Sequence, residues 1–124
     1  MALKRVVLEI GMGTDIRGRE PTKAAVRALK DALWHNSLSM ADAFGFPRDA
    51  MQVEVLIGVT RPDQVDTDQV AAVLPYGTAR IIVEHGGLDI EKQGGDTTVM
   101  ANAAAVVYFD MADAATTGGD AQDG

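Results

Sequence analysis

Four runs of aliphatic and β-branched residues dominate the chain, and three of them are apolar on both faces. In the first, roughly Lys4 to Ile10, Val7 accompanies Val6, Leu8 and Ile10. In the second, Gln52 to Thr60, Leu56 lies opposite the row Val53, Val55, Ile57 and Val59. In the third, Ala79 to Glu84, Ile82 lies between Ile81 and Val83. A strand with one wet face alternates cleanly between apolar and polar residues. These runs do not, so both sides of the sheet are expected to be covered.

Two helices are expected between the strands. Glu20-Pro21-Thr22 offers a start, with proline in the first turn where its missing N–H costs nothing. Ala25, Val26, Leu29, Ala32 and Leu33 then recur at helical spacing, and the helix is expected to run to about Ser37. A loop, Leu38 to Ala50, carries Phe44-Gly45-Phe46-Pro47. Asp66 with Gln69 three residues on has the form of a capping box, opening a short helix over Val70, Val73 and Leu74 that Pro75 ends. After the third strand a glycine-rich connection, Asp89 to Asp96, leads to a last strand from about Thr98 to Phe109.

The order β-α-β-α-β-β gives an α+β fold, with two helices on one face of a four-stranded sheet. It resembles the chorismate-mutase-like and ferredoxin-like trimers. No sequence remains to supply further helices, so another copy of the chain is the expected cover for the second face. A trimer or higher ring follows.

At 124 residues the chain fits one domain, expected over 1–109. From Asp110 to Gly124 there are four aspartates and no basic residue, which predicts an acidic, disordered tail. The net charge of −7 argues against nucleic acid as a partner, since such binding is driven by phosphate neutralisation. No cysteine is present, so neither a thiolate nucleophile nor a cysteine-ligated zinc exists. The first apolar run is too short for a signal-peptide core or a membrane span, and the reading is a soluble cytoplasmic protein.

The glycine-spaced stretch Gly11-Met12-Gly13-Thr14-Asp15-Ile16-Arg17-Gly18 reads as a shaped polar loop leaving the first strand. If the first three strands run parallel, this loop meets Thr60-Arg61 and Glu84-His85-Gly86-Gly87 at one sheet edge, a common ligand position. Asp15 and His85 are the candidate catalytic acid–base groups. Gly11, Gly13, Arg17, Arg61, Gly86 and Gly87 are the candidate substrate contacts, with the two arginines holding anionic or carbonyl oxygens. Each has a structural alternative: a turn-capping aspartate, a surface arginine, a satisfied histidine. Two distant histidines make no metal site within one subunit, one shared between subunits stays open, and the sequence requires no cofactor. His35-Asn36-Ser37 closes the first helix, where a histidine is favoured by the helix dipole.

From Glu9-Ile10-Gly11-Met12-Gly13-Thr14-Asp15 through Thr22-Lys23-Ala24-Ala25 to His35-Asn36-Ser37, the chain resembles the "Lin" conserved-hypothetical family of bacterial proteins, whose signature is GxGxDxHG. The signature's histidine is Arg17 here, which removes any role resting on that imidazole. The same turn is similar to the start of the trimeric methylerythritol cyclodiphosphate synthases, whose Asp and His bind a divalent metal between subunits. Asp15 matches and Arg17 does not, so metal binding does not carry over. Val83-Glu84-His85-Gly86-Gly87 resembles one repeat of the cyanuric acid hydrolase and barbiturase group, with His85 where those amidases have their serine. That likeness implies a threefold assembly with a site between subunits, without the covalent nucleophile.

The expectation is a homo-oligomer with an intersubunit pocket for a small anionic or carbonyl-bearing molecule, heterocycles included. If it is an enzyme, it is a hydrolase or isomerase/lyase acting by acid–base chemistry, through ring hydrolysis, isomerisation or cyclisation. The alternatives are a non-catalytic, small-molecule-binding regulatory ring and a structural partner protein.

Overall fold

A computed structural model describes residues 3–16, 19–33, 51–74 and 78–110. Five strands, β1 (Leu3–Asp15), β2 (Gln52–Val59), β3 (Thr78–His85), β4 (Leu88–Glu91) and β5 (Thr97–Asp110), form one mixed sheet. Two helices, α1 (Pro21–Leu33) and the short α2 (Thr67–Ala71), accompany it, with a 3₁₀ turn at Pro62–Gln64. The strand order is β1-β5-β2-β3, and β4 also pairs with β5. The element order is the expected one, with one strand more.

The last strand is the centre of the sheet. β5 runs antiparallel to β1 along one edge and antiparallel to β2 along the other, while β3 lies parallel to β2. Beyond Gly58, paired with Asn102, β2 gives up its place beside β5 and β4 takes it over, Leu88 pairing with Met100. The chain crosses from β3 to β4 at Gly86-Gly87, where a Cβ on Gly87 would lie 2.2 Å from the Met100 carbonyl oxygen. Gly87 also has φ +59, a conformation glycine adopts without strain.

The core lies between the sheet and α1. Val53, Val55, Ile57 and Val59 of β2 face it, with Val99, Ala101, Ala103, Ala105 and Val107 of β5 beside them. The helix contributes mostly small residues, Ala24, Ala25, Ala28 and Ala32, with Leu29. Short side chains let the helix descend onto β1, and there the strand has no side chains to meet it. A Cβ on Gly11 would stand 2.3 Å from the Ala32 nitrogen, and one on Gly13 would stand 2.2 Å from the Ala28 nitrogen. Backbone packs on backbone.

This corrects the first part, Gly11 to Asp15, of the stretch expected as a loop over Gly11–Gly18. β1 was expected to stop at Ile10 but continues to Asp15, because these glycines serve close helix approach rather than a turn. The connection expected over Asp89 to Asp96 is largely a β4–β5 hairpin. Its tip turns at Gly94 and Gly95, with φ 95 and 92, closed by the Lys92 N–H donating to the Asp96 carbonyl at 2.8 Å. The capping expected at Asp66 is present, its Oδ1 accepting from the Asp68 and Gln69 N–H groups at 3.0 and 3.3 Å. The Gln69 side chain donates its Nε2–H to Asp66 Oδ2 at 3.0 Å, and the Asp66 N–H donates to Thr22 Oγ1 at 2.9 Å, fastening α2 to α1. The end expected for α1 near Ser37, the loop Leu38 to Ala50, His35-Asn36-Ser37, Pro75 and the acidic tail beyond Asp110 lie outside the described residues.

The opposite face of the sheet has no layer over it among the described residues. Leu8, Ile10 and Met12 of β1 are 50%, 66% and 53% exposed, and Leu88 and Ile90 of β4 stand clear beside them. Alternation forces this arrangement: with glycine inward at 11 and 13, the large side chains at 8, 10 and 12 point outward.

Gly13→Ala is expected to lower stability by more than about 2 kcal/mol in urea unfolding, since neither backbone can give way. Gly58→Ala, whose Cβ would meet Gly86 Cα at an ordinary 3.4 Å, should cost under about 1 kcal/mol.

Candidate functional site

Because β1 and β2 both oppose β5, and β3 is parallel to β2, the carboxyl ends of β1, β2 and β3 meet at one edge of the sheet. The tips are Asp15, Thr60-Arg61 and His85-Gly86-Gly87, with the β4–β5 hairpin closing the same end. Arg17 and Gly18 lie outside the described residues.

Asp15 is buried, 5% exposed, at the end of β1. Its Oδ2 accepts the Glu20 N–H at 2.9 Å, and its Oδ1 lies 3.6 Å from Arg27 Nη1. Arg27 also donates to the Thr14 carbonyl at 2.6 Å. The aspartate therefore anchors the start of α1, satisfying a donor that the helix itself leaves open.

Arg61 grips the same connection from the other side. Its Nη2 donates to the Arg19 carbonyl at 3.2 Å, one residue from the Glu20 N–H that Asp15 accepts. Nη1 donates to Gln64 Oε1 at 3.2 Å, and Nε lies 3.5 Å from Asp89 Oδ2 on β4. Nε has no hydrogen bond, and neither does the buried Thr60 Oγ1 beside it, among the described residues. Arg19 has φ 55, a left-handed backbone uncommon for a residue with a side chain, and its Nη2 donates to the Gly95 carbonyl at the hairpin tip. One guanidinium thus ties the β1–α1 connection, the 3₁₀ turn and the hairpin together.

His85 is exposed at the tip of β3, opposite Val59 in register. Gly86 continues the ladder, its N–H donating to the Val59 carbonyl at 2.8 Å, and sits against Gly58. Gly11 and Gly13 are covered by α1. Of the candidate residues, the structure gathers Asp15, Arg61, His85, Gly86 and Gly87 at one edge and sets Gly11 and Gly13 beneath the helix. Among the described residues, no group of three His, Asp or Glu side chains is placed to hold a metal ion.

Among the described residues two depressions stand out, and neither is lined by Asp15, Arg61 or His85. One, about 270 Å³, lies at the amino ends of β2 and β3 between Gln52, Glu54, Arg80 and Tyr108. The other, about 230 Å³, is a trough in the uncovered face, lined by Ile10, Leu56, Gly58, Glu84, Asn102 and Ala104. The second is contiguous with the strand tips through Gly58 and Glu84, so it is the one that bears on this edge. Arg19, Arg27, Asp89, Glu84 and Asn102 were not among the sequence candidates. The period-two alternation that puts Glu84 and Asn102 on the outer face was readable, but their alignment across Gly58 required the strand register.

The profile of a family described as "Conserved hypothetical protein (Lin0512_fam)" matches residues 5–107. Among solved structures, the chain is similar to the crystal structure of an FtsZ-like protein of unknown function from Nostoc punctiforme PCC 73102. The two are 37% identical, with a TM-score of 0.80, over 89% of this chain and 98% of that one. No curated protein matches.

Asp15→Ala is expected to cost about 1–3 kcal/mol in chemical denaturation, because the part-buried Glu20 N–H loses its acceptor. Asp15→Asn keeps that acceptor and gives up only the pairing with a half-exposed Arg27, so its cost should stay below about 1 kcal/mol.

Proposed function

The chain belongs to the conserved hypothetical Lin0512 family, and since that description names no reaction, we propose a function from the geometry. The protein works as a homo-oligomer, with a trimer as the favoured order, in which like subunits shield the open face of the sheet. The seam between them takes a small anionic or carbonyl-bearing molecule, heterocycles included. The observation that carries this reading is the apolar second face. Five large side chains stand about half exposed or more on one side of a small sheet, a contiguous apolar patch of the kind that marks an interaction surface.

In this reading the ligand approaches the seam beside the strand tips. Arg61 supplies a planar donor for an oxygen, and exposed His85 is the group free to move a proton. Asp15 holds the β1–α1 connection in place beneath them. Acid–base turnover of the hydrolase or isomerase kind requires His85, and no covalent nucleophile takes part. The second reading, a non-catalytic binding or regulatory ring, is favoured by one specific observation: both Asp15 and Arg61 already have internal partners. The reading takes the protein to act in the cytoplasm; no described helix is long and apolar enough to cross a membrane.

Light scattering of the purified chain should give a mass of three subunits, and Ile10→Asp should shift it to one. A thermal-shift screen of small carboxylates and cyclic amides should yield ligands whose stabilisation falls at least tenfold in apparent affinity with Arg61→Ala. Turnover of such a ligand that disappears in His85→Gln identifies an enzyme; unchanged binding without turnover identifies the regulatory ring. A monomeric parent chain refutes the assembly.

A further inference from the structure

The strand register orders the open face into rows. One row across the sheet is Glu84, Gly58, Asn102 and Met12; the next is Ile82, Leu56, Ala104 and Ile10; the third is Arg80, Glu54, Val106 and Leu8. Side chains in a row are neighbours on one face, with columns about 4.8 Å apart. Read this way, the face has relief. The β1 column, Leu8-Ile10-Met12, is a ridge of large side chains, and Ile10 is its most exposed member at 66%. The columns beside it carry Ala104 and then Gly58, and between them they leave the trough of about 230 Å³. A void of about 150 Å³ lined by aliphatic groups admits a benzene-sized body. The trough therefore has room for an isoleucine side chain and part of a second one.

We infer that the β1 ridge of one copy seats in the Gly58–Ala104 trough of another copy, Ile10 entering between Leu56 and Asn102. The inference rests on the oligomeric reading above and specifies the surfaces that make it. Three observations select a second copy as the occupant. The ridge and the trough lie on one face of one chain, so each subunit offers both halves of the contact and like subunits suffice to build it. The charge fits as well. The chain carries a net −7, yet across these rows Glu54 pairs with Arg80 at 3.8 Å and the remaining charge is the single Glu84. Like-charge repulsion between copies is therefore small at this surface. The third observation is area. Leu8, Ile10, Met12, Leu88 and Ile90 together present roughly 500 Å² of apolar surface, a large share of the ~800 Å² that each partner buries in a standard interface. Leu56, Ala104 and Met100, each partly exposed, extend the apolar surface between them.

The absence of cysteine makes the contact directly testable. Ile10→Cys and Ala104→Cys, carried on two differently tagged copies and co-expressed, should form a disulfide-linked heterodimer under mild oxidation. Asn102→Cys, on the exposed rim of the trough, replaces Ala104→Cys if the latter disturbs folding as judged by circular dichroism. Ile10→Cys with Lys30→Cys, on the exposed side of α1, should give at least tenfold less of the linked species. An oligomeric parent with no Ile10 link to either trough position overturns this docking while leaving the assembly standing. A monomeric parent overturns both and leaves the face to a different partner.

Discussion

Backbone-on-backbone contact between α1 and β1 sets the terms for the rest of the molecule. Gly11 and Gly13 let the helix lie where a methyl group would already collide, and the alanine stripe of α1 matches them from above. Two further contacts hold the helix in that position. Asp31 accepts the Met12 N–H at 3.0 Å, and Asp15 accepts the Glu20 N–H where the helix begins. The cost of this arrangement is that β1 contributes no side chain to the inner core between residues 11 and 13. Its apolar mass is displaced to the outer face, so the same glycines that seat the helix also create the ridge opposite it. Inner packing and outer stickiness are one constraint seen from two sides.

At the strand tips, the charged groups that looked available in the sequence are mostly used by the fold. Asp15 and Arg61 hold adjacent residues of the same connection, and Arg19 carries that grip onward to the hairpin. What stays accessible is the histidine at the end of β3 and the polar pair flanking Gly58. A site here would draw its rigidity from the clamp and its recognition from groups outside it.

Much of the fold was legible because it depends on periodicity. The valine row of β2, the helical spacing from Ala25 to Leu33 and the Asp66–Gln69 cap all record local geometry, and each produced its element. The doubly apolar strands likewise recorded a face that no other layer of the described chain covers. Glycine was the ambiguous letter. At Gly94-Gly95 it makes a turn, at Gly87 a crossing, and at Gly11 and Gly13 room for a helix; only the partner across the gap tells these apart. The β4 strand escaped notice because four exposed residues, two of them acidic, have no buried face to announce them. The clamp of Arg61 was unreadable for a similar reason. Its partners at Arg19, Gln64 and Asp89 are defined by tertiary approach and by no spacing in the chain.

The central place of β5 has a consequence for how the polypeptide reaches this state. β1 and β2 do not pair with each other; both wait for a strand made after all the others. Among the described strands, only β2 and β3 can join before β5 is made, and β1, with its greasy outer row, gains its partner only when β5 has left the ribosome. Closing so wide a loop is slow, and an orphan strand is prone to meeting the wrong neighbour. Nascent chains of this topology should therefore depend on chaperone protection for most of their time on the ribosome.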